Sequence, residues 1–405
     1  MKIVFVNYYF YPDQSATSRL LQDLAFCLSS KGIDIRVVTS RRRYDDPRIL
    51  LPLYEVASYE VAGGVKIYRI NTFGFSRRVL WQRLLDAASF YIAVFFKLCF
   101  LLERGDRVVS KTDPPLVSFF VMMAAKIKGA VLINWLQDLF PETIQVFSKN
   151  EKEGLFTRFL KRARNISLWS AGINVAISEA MKVYLVKQGI EPGKTEVISN
   201  WSDGVKIRPV LPNENPLRKE WGLGNKFVIG YSGNMGRVHE FQTLLGAAES
   251  LKSEGVFIFL FIGDGPKRKW LENEALRRGI SNLLFKPYQP EDHLPESLSV
   301  PDVHLVSILP ELENFVVPSK FYGIAAAGRP VIYIGSTGGE IARLVRESGC
   351  GDVITAGDSR KLEECLVRLY KDPRQADQMG RNARAAFEKK WDKRFGLAAW
   401  EKILT

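Results

Sequence analysis

Two stretches of this 405-residue chain carry residue types suited to holding an anion. The first is Val316-Val317-Pro318-Ser319-Lys320. Pro318 and Ser319 are helix-start residues, because serine can cap free backbone N–H groups and proline has no N–H to leave unsatisfied. The run Ala325 to Ala327 suits a helix packed closely on a sheet. Gly328 then stops that helix, and Pro330 enforces the exit into an apolar strand, Val331 to Ile334. Ser319 and Lys320 therefore fall in a first helical turn, where unsatisfied N–H groups and the dipole favour negative charge. The plainer alternative is an ordinary capped helix with a surface lysine. The second stretch is Gly233-Asn234-Met235-Gly236-Arg237, between an apolar strand and a helical pattern. Its glycines let backbone N–H groups approach a diphosphate, and Arg237 adds a bidentate donor. With Gly265-Pro266 between them, the two stretches point to a nucleoside diphosphate. The G-x-G-x-x-G and G-x-x-x-x-G-K-[ST] patterns are missing, which disfavours hydride transfer and NTP hydrolysis.

Carboxylates follow strands in the other half. Asp138 comes just after the run Val131 to Trp135, and Asp113 holds the same kind of position one unit earlier. Asp13 lies in the loop after the first strand, beside Ser15 and Ala16, whose small side chains let a ligand approach the backbone. In open α/β sheets the ligand crevice lies at the strands' C-terminal ends. Asp138 and Asp13 are the candidates for a general base, and Asp138 is preferred because it follows a buried strand. A carboxylate capping a helix or pairing with an arginine is the structural alternative.

These residues need elements to position them. Apolar runs at 3–8, 35–39, 131–135, 173–177, 227–231, 257–262, 303–308 and 331–334 alternate with helical patterns, an α/β arrangement. Short strands are expected at Tyr54 to Ala62 and Val65 to Ile70, joined at Gly63-Gly64 and bracketed by Arg41 to Arg43 and Arg77-Arg78. Pro209, Pro212 and Pro216 mark a linker. The expected domains are 1–208 and 209–380, each Rossmann-like with a parallel sheet. Residues 80–102 form a strongly apolar helix, yet the longest uncharged run falls short of the about 20 residues a bilayer span needs. It is either a core helix or an amphipathic helix lying in a membrane interface. Residues 155–169 read as a basic amphipathic helix with a solvated charged face.

Composition narrows the class. Net charge is +13, which implies an acidic partner. No helix-turn-helix, RRM-like or zinc-finger pattern supports nucleic acid. Four dispersed cysteines and three histidines give neither a disulfide framework nor a metal site. Met1 to Val6 reads as a strand rather than a signal peptide, so a cytoplasmic location is expected.

The chain resembles the GT-B glycosyltransferases of family 4, most closely the branch building bacterial surface polysaccharides, similar to colanic acid and O-antigen fucosyl- or fucosaminyl-transferases. The resemblance rests on Tyr8 to Ser18, Trp135 to Glu142, Ile177 to Met181, Ser232 to Arg237, Gly263 to Pro266 and Val316 to Pro330. It implies two facing Rossmann-like domains, with the last helix, about 381–405, packed back on the N-terminal one. It implies retaining transfer of a sugar, without a metal or other cofactor, from a UDP- or GDP-sugar held mainly by the C-terminal domain. The implied acceptor is a polyprenyl-diphosphate-linked saccharide at the inner face of the cytoplasmic membrane, with peripheral membrane contact. Phosphate binding maps onto Gly236, Arg237, Ser319 and Lys320, with Gly233, Asn234, Met235, Gly265, Val317 and Pro318 around them. Base contacts map onto the loop Lys286 to Gln289, with Pro287 and Tyr288 among the donor-binding residues. Gln137-Asp138 stands where many relatives carry His-Asp. The family's E-x7-E motif falls on Phe315 and Gly323, neither of them acidic. Glu340 is a candidate substitute at the ribose, and Glu311 or Glu313 at the donor sugar. Lys320, Arg237 and the helix N-termini would stabilise the leaving diphosphate. The alternatives are a nucleotide-sugar epimerase of the same fold and a non-catalytic basic module for anions or lipid.

Overall fold

The apolar runs become strands with mostly buried side chains, as expected where helices cover both faces of a parallel sheet. The structure, a computed structural model, describes residues 1–43, 51, 59–73, 80–147 and 154–405. It divides into two units: Met1–Ser199 with Gly396–Thr405, and Asn200–Phe395.

The first unit holds β1 (Ile3–Val6), β2 (Ile35–Ser40), β3 (Glu60–Ala62), β4 (Val65–Ile70), β5 (Arg107–Lys111), β6 (Val131–Trp135), β7 (Ile173–Ala176) and β8 (Thr195–Val197). Their order is β3-β4-β2-β1-β5-β6-β7-β8. β1 lies central and parallel, Ile3–Val6 pairing with Ile35–Val38 and Arg107–Ser110. Only β3 is antiparallel, paired with β4 through the Gly63-Gly64 turn. The expected strand residues 54–58 and Arg77-Arg78 lie outside the described residues. The helices are α1 (Ala16–Ser30), α2 (Leu80–Leu101), α3 (Val117–Lys128), α4 (Glu142–Gln145), α5 (Leu155–Ser170) and α6 (Glu179–Lys187). α2 packs Phe90, Val94, Leu98 and Leu101 into the core it shares with α3, and leaves Ile92, Phe96 and Phe100 exposed. No described helix is long and apolar enough to cross a membrane.

The second unit has six parallel strands: β9 (Phe227–Ser232), β10 (Phe257–Ile262), β11 (Leu283–Lys286), β12 (Val303–Ser307), β13 (Val331–Gly335) and β14 (Gly351–Thr355), ordered β11-β10-β9-β12-β13-β14. Its helices are α7 (Pro216–Glu220), α8 (Gln242–Ser250), α9 (Arg268–Arg278), α10 (Leu294–Ser299), α11 (Lys320–Ala326), α12 (Glu340–Ser348), α13 (Ser359–Lys371) and α14 (Pro373–Ala386).

The break falls at Ser199, before the proline-rich stretch, and Pro216 starts α7 rather than a linker. Residues 200–208 are held inside the second unit by its C-terminal segment. The Arg384 guanidinium donates to the carbonyls of Gly204, Ile207 and Ala326, and Ser202 bridges Asp392. The single helix expected over 381–405 is two. α14 passes into a π-helical turn at Phe387–Trp391, extended backbone at Asp392 breaks it, and α15 (Lys393–Leu404) follows. From Gly396 onward α15 belongs to the first unit. There Trp400 is fully buried, its ring 4.5 Å from that of Trp135.

Candidate active site

In the second unit, the chain after β9 and the start of α11 converge. Lys320 opens α11, and Gly328, with φ +65°, ends it as expected. The Lys320 ammonium nitrogen lies 3.5 Å from the centre of the Tyr231 ring, near the C-terminal end of β9. A methyl group built on Gly233 would sit 3.7 Å from Lys320 Cε. That nitrogen is buried and makes no hydrogen bond to any described residue. Burial holds its pKa well below the usual lysine value. Taking an ammonium out of water with only an aromatic face opposite it is costly, and an anion seated there would offset that cost. Ser319 does not act as the expected cap: it sits in helical conformation and its side chain accepts no N–H.

The loop itself is folded by close backbone contact. Tyr231 donates its hydroxyl to the Asn234 carbonyl, 3.0 Å away, and Met235 N–H donates to Asp264 O at 2.8 Å. Gly263 and Gly265 take φ +136° and +151°. A Cβ on Gly263 would fall 2.3 Å from Gly233 O, and one on Gly265 2.5 Å from Asn234 Oδ1. Glycine is required at both for sterics as well as conformation. Met235 is buried, Gly236 lies beside His239, and Arg237 is exposed with no partner among the described residues.

The helix after this loop does not present a free N-terminus. The buried carboxylate of Glu240 accepts the N–H groups of Gln242 and Thr243, so the start of α8 is already satisfied. Side chains and loop N–H groups must do the work expected of that helix end. His239 was not singled out from the sequence. Its Nδ1 lies 2.6 Å from the Ser307 carbonyl, so Nδ1 carries the proton. Burial first, and then the Lys320 charge, push its pKa down to about 3. A neutral ring with Nε2 unprotonated results.

The three substitute glutamates separate. Glu311 is exposed on a short 3-10 turn, Pro310–Leu312. Glu313 is buried and accepts the Tyr333 hydroxyl at 2.5 Å and the Ser336 N–H, so it braces the turn between β13 and α12. A Cβ on Gly339 would collide with it. Glu340 is buried in the first turn of α12 and ion-paired to Arg343 at 2.6 Å. Val317 is buried beside Pro318, ahead of Lys320. Tyr288, after Pro287, is more than half exposed, its hydroxyl 3.4 Å from Asp264 O and its ring near Gly263.

In the first unit, Asp138 follows β6 as expected. Gln137 N–H donates to Thr112 Oγ1 at 3.0 Å. On its other side Arg164 donates to Phe140 O and, at 2.7 Å, to the buried Glu142, whose other oxygen accepts Tyr184 OH at 2.6 Å. The density of surrounding protein, and then the Asp113 carboxylate, push the Asp138 carboxyl up to about 6. More than a third of its surface stays open to water, which trims that shift and leaves its direction. Asp13 is buried and its Oδ1 accepts Ser15 N–H at 2.8 Å, so it shapes the loop ahead of α1. Ser15 precedes α1 with its Oγ buried and unpartnered, and Ala16 is exposed. Lys111 ends β5 fully buried. It donates to Thr17 O at 2.8 Å and lies 3.8 Å from the Trp135 ring centre. Burial lowers its pKa to about 7. Among the described residues, no three His, Cys, Asp or Glu side chains converge as a metal site.

Residues 213–386 match the model of the family "Glycosyl transferases group 1". Those residues form a group 1 glycosyltransferase domain. WbjE of Pseudomonas aeruginosa, a glycosyltransferase by name, is 29% identical over 257 residues, 63% of this chain and 64% of its own length. WcaI of Escherichia coli, named for colanic acid biosynthesis, is 24% identical over 356 residues, 85% of this chain and 86% of its own. HepE of Anabaena, solved with UDP-glucose, superposes with a TM-score of 0.75 at 18% identity, over 100% of this chain and 99% of its own. The chain thus has the GT-B fold, and the residues matched by the family model contain both candidate anion-binding stretches.

Proposed function

We propose that this glycosyltransferase moves a sugar, with retention, from a UDP- or GDP-sugar to a polyprenyl-diphosphate-linked saccharide in bacterial surface polysaccharide synthesis, working at the inner face of the cytoplasmic membrane. The observation that carries the donor reading is the Lys320 ammonium, buried without a hydrogen-bond partner beside the Gly233 loop. A diphosphate is the group that fits it: it returns a counter-charge to the lysine, and its negative charge grows as the sugar leaves. Arg237, exposed and unpartnered, is the second donor for that charge. Tyr288 is assigned to the base. Asp138 is assigned to the acceptor hydroxyl, because its raised pKa keeps it poised to take a proton near neutral pH. Glu313 and Glu340 are already bound to protein groups and are assigned supporting roles, which leaves Glu311 as the free carboxylate. The colanic acid relative supports the polysaccharide setting, and the net charge of +13 supports an anionic surface as the place of work.

The test is a thermal-shift series with UDP, GDP, dTDP and CMP without added metal. One nucleotide should raise the melting temperature in wild type, because it binds the folded state alone. Asp138→Asn should keep that shift and lose transfer. No shift with any nucleotide would refute the donor site.

A further inference from the structure

β9 and β12 part before they end. Their pairing joins Ile229 to Val303 and Gly230 to His304 and goes no further. β9 stays paired to β10 as far as Ser232, and β12 to β13 as far as Ser307. The order β11-β10-β9-β12-β13 makes this the switch point of the sheet, where successive strands stop adding on one side of β9 and begin on the other. Open α/β sheets take ligands in the crevice outside such a point. The loop after β9 bridges the parted strands instead of a ladder. Leu309 N–H donates to the Val238 carbonyl at 2.9 Å, and His239 Nδ1–H to the Ser307 carbonyl at 2.6 Å.

Two polar groups meet at this wedge. Side chains alternate along a strand, and Val303 and Leu305 share a core cluster with Tyr231. Ser307 therefore points to the sheet face that carries the Tyr231 ring, against which the Lys320 ammonium lies. Ser307 is fully buried, and its hydroxyl oxygen, like Lys320 Nζ, has no hydrogen-bond partner among the described residues. A hydroxyl buried unpaired is unfavourable, as is a cation buried unpaired, and one anionic group answers both. The wedge also has a place relative to the nucleoside. The Tyr288 ring lies near Gly263, which follows β10. With strands about 4.8 Å apart, the wedge between β9 and β12 lies roughly 7 Å beyond Gly263 along the sheet.

We propose that the Ser307 hydroxyl, together with Lys320, holds the sugar-bearing phosphate of the donor, the one farther from the nucleoside. The hydroxyl donates to a phosphoryl oxygen, and His239 is a positioning residue that grips the carbonyl of the same serine. That phosphate gains negative charge as the sugar leaves, so a hydrogen bond to it strengthens as transfer proceeds. The inference rests on the donor reading above, with the base at Tyr288 and the diphosphate at Lys320.

Isothermal titration calorimetry of the full chain with UDP and GDP, each compared with its monophosphate, is the test. Wild type should bind the preferred diphosphate more tightly than its monophosphate. Ser307→Ala should bind that diphosphate at least about tenfold more weakly, as for one hydrogen bond to a charged group. It should keep the monophosphate affinity and melt no lower than wild type without ligand. Thr195→Val removes another buried hydroxyl without a partner, in the first unit, and should leave both affinities unchanged. Diphosphate binding by Ser307→Ala equal to that of wild type would overturn the assignment, with the donor reading still standing on wild-type binding. Equal losses toward monophosphate and diphosphate would overturn it too, because the hydroxyl would then serve the shape of the site. A matching loss in Thr195→Val would do the same by tracing the effect to general loosening. If wild type binds neither UDP nor GDP, the donor reading falls and this inference falls with it.

Discussion

Lys320 costs the ligand-free protein stability. Its ammonium is desolvated in the folded state and hydrated in the unfolded one, so removing the charge should stabilise. Lys320→Met should raise the melting temperature without ligand, by about 2–4 °C for each kcal/mol recovered in a domain of this size, while losing the nucleotide shift. A variant that melts lower without ligand would show that the lysine is a structural brace. The histidines give a pH prediction. His304 is fully buried, its Nε2 2.9 Å from Leu298 O, and burial lowers its pKa to about 4. The folded state resists the proton that the unfolded state takes up below 6.5. The stability of its neutral form is therefore complete above 6.5 and is lost as pH falls toward 4, at about 1.4 kcal/mol per pH unit where one histidine is fully charged only when unfolded. His304→Gln should flatten urea-melt stability against pH across that window. An unchanged slope would place the acid sensitivity elsewhere.

At the scale of elements, the loop carrying Asp138 is held by a buried ion pair between α4 and α5, Glu142 with Arg164. Arg164→Met leaves the carboxylate to the Tyr184 hydroxyl and the Lys161 ammonium 3.8 Å away and should cost about 1.5–3 kcal/mol, whereas Glu142→Gln/Arg164→Met should cost clearly less. Equal losses in chemical denaturation would mean that the pair's charge is not what the loop relies on. This network also marks where sequence reading stopped. The strands, the helix starting at Lys320 and the placement of Asp138 after β6 were legible, because apolar runs, Pro-Ser starts and glycine stops are local signals. Glu142 stood in a recognisable stretch, yet nothing local tied it to Arg164 or Tyr184. Lys111 and His239 were missed for the same reason: only tertiary contact with Trp135 and Ser307 separates them from surface residues. Glu313, a candidate alongside Glu311 at the donor sugar, braces the turn ahead of α12. Glu240 fills the helix end that the resemblance expects to face the phosphates.

At the scale of the whole molecule, the chain's last ten residues complete its first unit. Trp400 and Leu404 are fully buried, Arg107 donates to the Ile403 carbonyl, and Lys31 pairs with Glu401. The Trp135 ring packs 4.5 Å from that of Trp400 and 3.8 Å from the Lys111 ammonium, which reaches Thr17 in α1. Removing 396–405 therefore uncovers the Trp135 indole, beside which Lys111 reaches the first turn of α1, while the loops proposed to bind nucleotide belong to the other unit. Loss of a buried tryptophan alone is worth about 3–5 kcal/mol. Scanning calorimetry of a chain ending at Phe395 should show a transition shifted down by several degrees that does not respond to nucleotide, and a second that keeps its full nucleotide-dependent rise. Trp400→Ala should reproduce the first effect in milder form. A truncated chain that melts as wild type does would show that these ten residues decorate the first unit without supporting it. A chain that loses the nucleotide response as well would show that donor binding depends on an intact first unit.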